Sequence, residues 1–184
     1  MRTFIAFNLQ EHIISHIRTV QNSMKSHEFK ASWVRPENIH LTLKFLGNIN
    51  EADVEKIGRK ISDSASEYSP ISLAAKGVGV FPGIKRPRVI WIGLKGQTDI
   101  LIELQKKLDE NLEQIGFPRE NRPFKAHLTL ARIRGHIDSK KLLDAIKEIG
   151  DFESETFIAG NLTLFKSDLK PTGAVYTKLV SAKL

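Results

Sequence analysis

The 184-residue chain contains no cysteine. That excludes a disulfide framework, a thiolate nucleophile and a Cys-ligated zinc site, and it suits a reducing, cytoplasmic location. Long apolar runs are missing as well. No stretch approaches the roughly 18 apolar residues of a membrane span. In the opening MRTFIAFNLQEH the apolar run Phe4 to Phe7 ends at Asn8, so no secretory signal is expected. Neither GxxxxGK[ST] nor a strand-linked GxGxxG occurs, which leaves nothing to support nucleotide-driven chemistry. With no low-complexity segment and no flexible linker, residues 1–184 are expected to form one domain, built on a single core or on two small lobes sharing one. Acidic residues are the scarcer charge: 21 Asp and Glu against 28 Lys and Arg give +7 and a pI of about 9.6. Such an excess favours anionic partners, nucleic acid first among them. The basic residues gather at Lys85, Arg86 and Arg88, at Arg119, Arg122 and Lys125, and at Arg132 and Arg134.

What the chain does have is one tetrapeptide used twice. HLTL spans His40–Leu43 and recurs at His127–Leu130, while NLTL at Asn161–Leu164 repeats the pattern without histidine. Leu-Thr-Leu alone reads as a half-buried strand of alternating apolar and β-branched residues. Only the histidine separates two copies from the third. In a strand, residues i and i+2 share a face. His40 and Thr42 therefore point one way and Leu41 and Leu43 the other, and His127 and Thr129 repeat the arrangement over Leu128 and Leu130. A lone His-x-Thr is ordinarily polar exterior. Two copies in matching apolar frames, separated by a helix-containing block, favour a shared site.

The rest of the chain reads as strands and amphipathic helices. Phe4–Phe7 is a first strand, and Glu11 to about Met24 a helix with Ile13, Ile17, Val20 and Met24 on one stripe. Trp33–Pro36 is extended. Asn50 is the expected N-cap of a helix carrying Val54, Ile57, Ile61 and Ala65. Ile71–Phe81 and Arg88–Leu94 alternate like strands joined by FPGIKRP. Thr98 is expected to cap a helix with Leu101, Leu104, Leu108 and Leu112 inward, stopped near Gly116. A helix around Ser139–Ile149, with Leu142, Leu143 and Ile146 inward, precedes strands near Phe157–Phe165 and Ala174–Val180. Strands joined without regular βαβ alternation indicate an α+β protein with largely antiparallel sheets. The order of elements occurs about twice. Two related lobes, each supplying one HLTL strand, would set the histidines on facing surfaces.

Two imidazoles and two hydroxyls suit phosphodiester chemistry. A neutral imidazole takes a proton from water while an imidazolium gives one to a leaving oxygen. Threonine hydroxyls donate to the non-bridging oxygens of a phosphate between them. No metal is expected, because two histidines fall short of the three or four ligands a metal needs and no further ligand shares their strand parity. His12 and His16 have i, i+4 spacing but lack the HExxH glutamate and read as surface residues. His27 and His136 read as solvated, and Trp33 and Trp91 as packing. A non-catalytic RNA-binding module is the alternative from another class. Its basic loops would give strongly salt-dependent binding, yet binding alone needs neither histidine.

The paired motifs resemble the two His-x-Thr-x motifs of the 2H phosphoesterases, and within them the RNA 2′,3′-cyclic phosphodiesterases, historically called 2′-5′ RNA ligases. The resemblance runs over nearly the whole chain, through MRTFIAF, WVRPENIHLTLKFLG, GVGVFPGIKRPRVIWIGL, FKAHLTLAR and SDLKPTGAVYTKL. It implies a bilobal α+β fold, with two pseudo-twofold-related lobes of antiparallel sheet flanked by helices and a central basic cleft. It implies metal-independent hydrolysis of an RNA terminal 2′,3′-cyclic phosphate to a 2′-phosphomonoester, without cofactor, and by reversal the joining of tRNA halves through a 2′-5′ linkage. His40 would donate the proton to the leaving 3′-oxygen, His127 would accept one from water, and Thr42 and Thr129 would hold the phosphate. The residues themselves allow either order of donor and acceptor. Arg132 matches a family arginine that contacts phosphate, although strict alternation puts it on the side of Leu128 and Leu130. It reaches the cleft only if the strand ends or twists beyond Leu130. Phe124 is a candidate for stacking on a base. The family often has proline before the second histidine, where this chain has Ala126. A monomer is the default expectation.

Overall fold

The structure is a computed structural model that describes residues 1–171 and 173–184. In chain order the elements are β1 (Arg2–Asn8), α1 (Glu11–Lys25), β2 (Ala31–Trp33), a 3₁₀ turn (Pro36–Asn38), β3 (His40–Asn48), α2 (Asp53–Ala65), β4 (Ile71–Phe81), β5 (Val89–Gly96), α3 (Thr98–Glu113), β6 (His127–Ile133), α4 (Ser139–Ile149), β7 (Glu153–Ala159), β8 (Asn161–Lys170) and β9 (Gly173–Lys183). The strands join in one antiparallel sheet of order β7-β4-β5-β6-β3-β1-β8-β9, with β2 also paired to β6.

The apolar stripes read from the sequence are where the helices pack. Ile13, Ile17, Val20 and Met24 of α1 are buried, as are Ile57, Ile61 and Ala65 of α2 and Leu101, Leu104, Leu108 and Leu112 of α3. Helices α1 and α4 pack together against β7 and β4, while α2 and α3 pack together against β8, β9 and β3. This makes two lobes, β7-β4-β5-β6 and β3-β1-β8-β9, that meet at the β3–β6 seam. Counting outward from the seam, β6 corresponds to β3, β5 to β1, β4 to β8 and β7 to β9. The lobes are interleaved. Strand β1 lies in one lobe, but the helix that follows it packs on the other, and β5 and α3 repeat the exchange.

The helices differ from expectation at three places. Asn50 is not the cap of α2: Ala52 precedes the helix, and the Asn50 backbone N–H donates to the Asp53 carboxylate at 3.1 Å. Thr98 is the first residue of α3 rather than its cap, with Gln97 before it. In α4, Leu143 is exposed and Ala145 is buried beside Leu142. The buried stripe follows i, i+3 spacing from Leu142, which turns Leu143 about 100° away from the core. Asp138 caps this helix by accepting the Lys140 and Lys141 N–H groups at 2.7 and 3.0 Å.

The two HLTL strands are neighbours in the sheet, with Leu41 directly opposite Leu128. Both leucines are fully buried in the main core under the helices. The histidines thus stand on adjacent strands where the two lobes meet, one supplied by each lobe. The seam is one residue pair long. The third copy explains itself as packing: Thr163 on β8 is buried and shares a 2.8 Å hydrogen bond with Ser181.

Candidate active site

Antiparallel pairing of Leu41 with Leu128 fixes what lies across the seam. His40 comes opposite Thr129 and Thr42 opposite His127, all on the face away from the leucines. Across the seam His40 and His127 are thus diagonal to one another, as are Thr42 and Thr129. All four residues are half-buried.

Each imidazole is fixed by the backbone two residues before it. His40 Nδ1 lies 2.7 Å from the Asn38 carbonyl, and His127 Nδ1 lies 2.6 Å from the Lys125 carbonyl. A carbonyl only accepts, so Nδ1 carries the hydrogen in both rings and Nε2 is the titrating atom. The same tautomer on both strands gives the site a matched pair of Nε2 atoms, each a base when its ring is neutral and an acid when it is charged.

The surroundings of the two rings are not matched. His40 is stacked on Phe4 at 4.5 Å and meets the edge of Tyr176 at 5.3 Å, and Phe4 stacks in turn on Phe165. Burial in this aromatic setting lowers the His40 pKa from 6.5 to about 4, partly opposed by the hydrogen bond to Asn38. A pocket of about 170 Å³ opens beside it, lined by Asn8, Asn38, Tyr176 and Lys178 among others. His127 meets Phe81 at 5.0 Å and Trp91 at 6.5 Å, with the Lys125 ammonium 5.8 Å above the Phe81 ring. Trp91 pairs with Thr129 across β5 and β6, so it walls the cleft instead of packing in the core. It occupies the space over Gly79, where an added Cβ would come within 2.3 Å of the indole. Trp33, by contrast, packs against the main core as expected.

A β-bulge decides the side on which Arg132 lies. Ile90 pairs with Ala131 and Trp91 with Thr129, which leaves Leu130 unpaired by β5. Leu130 and Ala131 are then both buried, and Arg132 emerges on the face of His127 and Thr129. Its charge is felt at Tyr176, where burial raises the phenol pKa and Arg132 opposes the rise. The free Leu130 carbonyl accepts from the Val34 N–H at 2.9 Å and from Gln21 Nε2 of α1 at 3.0 Å, so the bulge is held by the helix beneath it. Strict alternation holds up to Leu130 and slips by one after it.

Strand β3 carries the same device. Ile5 pairs with Lys44 and Ala6 with Thr42, leaving Leu43 unpaired. Leu43 and Lys44 are buried together and Phe45 turns out, 55% exposed, with its ring 6.1 Å from Phe4. Phe45 is thus the counterpart of Arg132 in the other lobe, a residue that sequence reasoning missed. The signal was present: HLTLKF laid on HLTLAR sets Phe45 against Arg132. Phe124, the aromatic singled out from the sequence, is half-buried against the main core.

The remaining histidines stand away from the cleft. His12 is exposed and His16 half-buried on α1. His27 is not simply solvated, since its Nε2 lies 2.8 Å from Glu148 of α4; His136 is exposed. Among the described residues no group of three or more His, Cys, Asp and Glu is placed to hold a metal ion. No helix among them is long and apolar enough to cross a membrane.

Comparison with known proteins gives a consistent result. The family model described as LigT like Phosphoesterase matches residues 8–91 and again 92–176, so each half of the chain carries one copy with one histidine motif. A protein named RNA 2′,3′-cyclic phosphodiesterase from Methanocaldococcus jannaschii is 36% identical over 96% of this chain and 96% of its own length. One of the same name from Methanothermobacter thermautotrophicus is 32% identical over 97% and 96%. The crystal structure of TT0787 of Thermus thermophilus superposes with a TM-score of 0.84, at 26% identity, over 100% of this chain and 98% of that one.

Proposed function

The chain belongs to the LigT-like phosphoesterase family, and from that premise we propose that it hydrolyses the 2′,3′-cyclic phosphate end of RNA to a 2′-phosphomonoester by paired-histidine catalysis without a metal. The observation that carries the reading is the matched pair of Nε2 atoms, diagonal across the seam and each flanked by a threonine hydroxyl. The names of relatives more than 30% identical over nearly their whole length support the substrate class.

His40 is the donor and His127 the acceptor. His127 Nε2 takes a proton from water as the oxygen bonds to phosphorus. The bond from phosphorus to O3′ breaks, and His40 Nε2 supplies the proton that oxygen needs. Thr42 and Thr129 donate to the non-bridging oxygens, and Arg132 takes up the charge that gathers there. His40 is neutral in the free protein at pH 7, since its pKa is about 4. The proton it gives must therefore be taken up from solvent as the substrate binds. A phosphodiester anion beside Nε2 favours the imidazolium and opposes the desolvation that disfavours it. Phe45 offers its exposed face to the terminal base.

Both halves supply half of the site, so residues 1–184 act as one catalytic unit, working as a monomer. With another nucleophile the same groups join RNA ends. A 5′-hydroxyl replaces water as nucleophile, and its attack with loss of O3′ leaves a 2′-5′ linkage. The test is product analysis on a short RNA ending in a 2′,3′-cyclic phosphate. Release of a 2′-phosphate, with a 2′-5′ joined product appearing only at high 5′-hydroxyl RNA concentration, supports the reading. Release of a 3′-phosphate would reverse the leaving-group assignment and overturn it.

A further inference from the structure

The bulge that turns Phe45 outward turns Lys44 inward, and Lys44 takes no part in the chemistry above. It is 3% exposed, ion-paired with Asp109 of α3, and donates to the Pro118 carbonyl at 2.7 Å. The second Asp109 oxygen accepts the Glu120 N–H at 3.0 Å. A buried pair of this kind stabilises little compared with an apolar replacement. Here it fastens the loop after α3 to β3. Between them lies a groove of about 450 Å³, within the range of ligand sites. It is lined by the apolar Phe45, Leu46, Phe117 and Pro118 and by the polar Asn121 and Arg122.

We propose that this groove receives the nucleotide that precedes the cyclic end of a single-stranded RNA, with its base against the apolar lining and its phosphodiester on Arg122. The inference rests on the cyclic-phosphodiester reading of the adjoining cleft and extends it to substrate length. Continuity is the first argument. Phe45 belongs to both the cleft face and the groove. At a strand rise of about 3.3 Å per residue it lies about 10 Å from Thr42, so a terminal nucleotide held at the threonines ends at Phe45 and its 5′ neighbour passes beyond it. Charge is the second. Arg119 is occupied by Glu113 and Glu110, whereas Arg122 is exposed and has no ion-pair partner among the described residues. Glu120 is the one carboxylate among the groove's lining residues. It keeps the anion toward Arg122. Apolar and aromatic walls suit the splayed bases of a single strand, not a duplex.

The experiment compares adenosine 2′,3′-cyclic monophosphate with the dinucleotide ApA ending in a 2′,3′-cyclic phosphate, on wild type and Arg122→Ala. The dinucleotide should be turned over with the higher kcat/KM. Arg122→Ala should lose most of that gain, about 3- to 10-fold, and leave the mononucleotide unchanged. The salt dependence of the dinucleotide reaction should fall by about 0.7 in log–log slope, the share of one phosphate contact on a single strand. Equal kcat/KM for the two substrates, or a dinucleotide advantage untouched by Arg122→Ala, would overturn the proposal. No turnover of either substrate would refute the catalytic reading instead. The groove would then be read by titrating ApA 2′-phosphate against adenosine 2′-phosphate, where equal affinities overturn it.

Discussion

The buried ring of His40 makes the folded protein acid-sensitive by an amount that can be worked out. Its pKa stands at about 4 because burial disfavours the charged form, against 6.5 when unfolded. Above pH 6.5 the ring is neutral in both states and costs nothing. As pH falls from 6.5 toward 4 the unfolded chain binds a proton that the folded chain does not, so stability falls with pH over that window. At 1.36 kcal/mol per pKa unit the full effect is about 3 kcal/mol, and about 2.5 kcal/mol of it is lost by pH 4.5. His40→Asn removes the titration and retains an amide N–H to meet the Asn38 carbonyl. Urea unfolding of both proteins at about pH 7 and about pH 4.5 isolates the term. Wild type should lose about 2.5 kcal/mol more than the variant between the two conditions. Equal losses would show that His40 titrates normally and that the aromatic surroundings do not desolvate it.

Three further outcomes follow from the same geometry. Inorganic phosphate binding near pH 6 should draw a proton onto His40, seen as a calorimetric heat that varies with the buffer's ionisation enthalpy and vanishes in His40→Asn. Removing a base-stacking ring costs about 1–3 kcal/mol, so Phe45→Ala should lower kcat/KM about 5- to 100-fold while Phe45→Tyr stays near wild type; an Ala variant of full activity would deny Phe45 contact with substrate. Asp109→Ala strands the buried Lys44 ammonium and should cost about 3–5 kcal/mol in denaturant unfolding, whereas a loss under 1 kcal/mol would mean the loop after α3 is held by other contacts.

Periodicity was enough to find the helices and most strands, because burial of Ile13, Ile17 and Leu104 or of Leu41 and Leu128 is set by spacing alone. The candidate site was legible for the same reason: alternation puts His40 with Thr42 and His127 with Thr129. What alternation cannot show is where it stops. Leu43 and Leu130 carry no mark in the sequence that announces a bulge, and the Gln21 amide that holds one of them comes from 109 residues away. Arg132 and Phe45 both lie just past a bulge, which is why one had the wrong apparent parity and the other went unnoticed. Two interleaved lobes, each supplying one motif strand, were legible from the repeated order and the family resemblance; the length of the seam that joins them into one sheet is set by long-range packing and was not. Local capping misled at Asn50 and Thr98: the residue before the helix is Ala52, two after Asn50, in one case and Gln97, one before Thr98, in the other.

The proposed chemistry is carried by two strand histidines and no metal. It is met most directly by the rate of hydrolysis of a short RNA with a 2′,3′-cyclic phosphate end, measured in EDTA for wild type, His40→Ala and His127→Ala. General acid–base help is worth about 10²–10⁴-fold per group. Wild-type turnover undiminished by EDTA, with each variant slower by at least about 100-fold and still folded, is the expected result. Loss of wild-type turnover in EDTA, or variants as fast as wild type, would contradict the account.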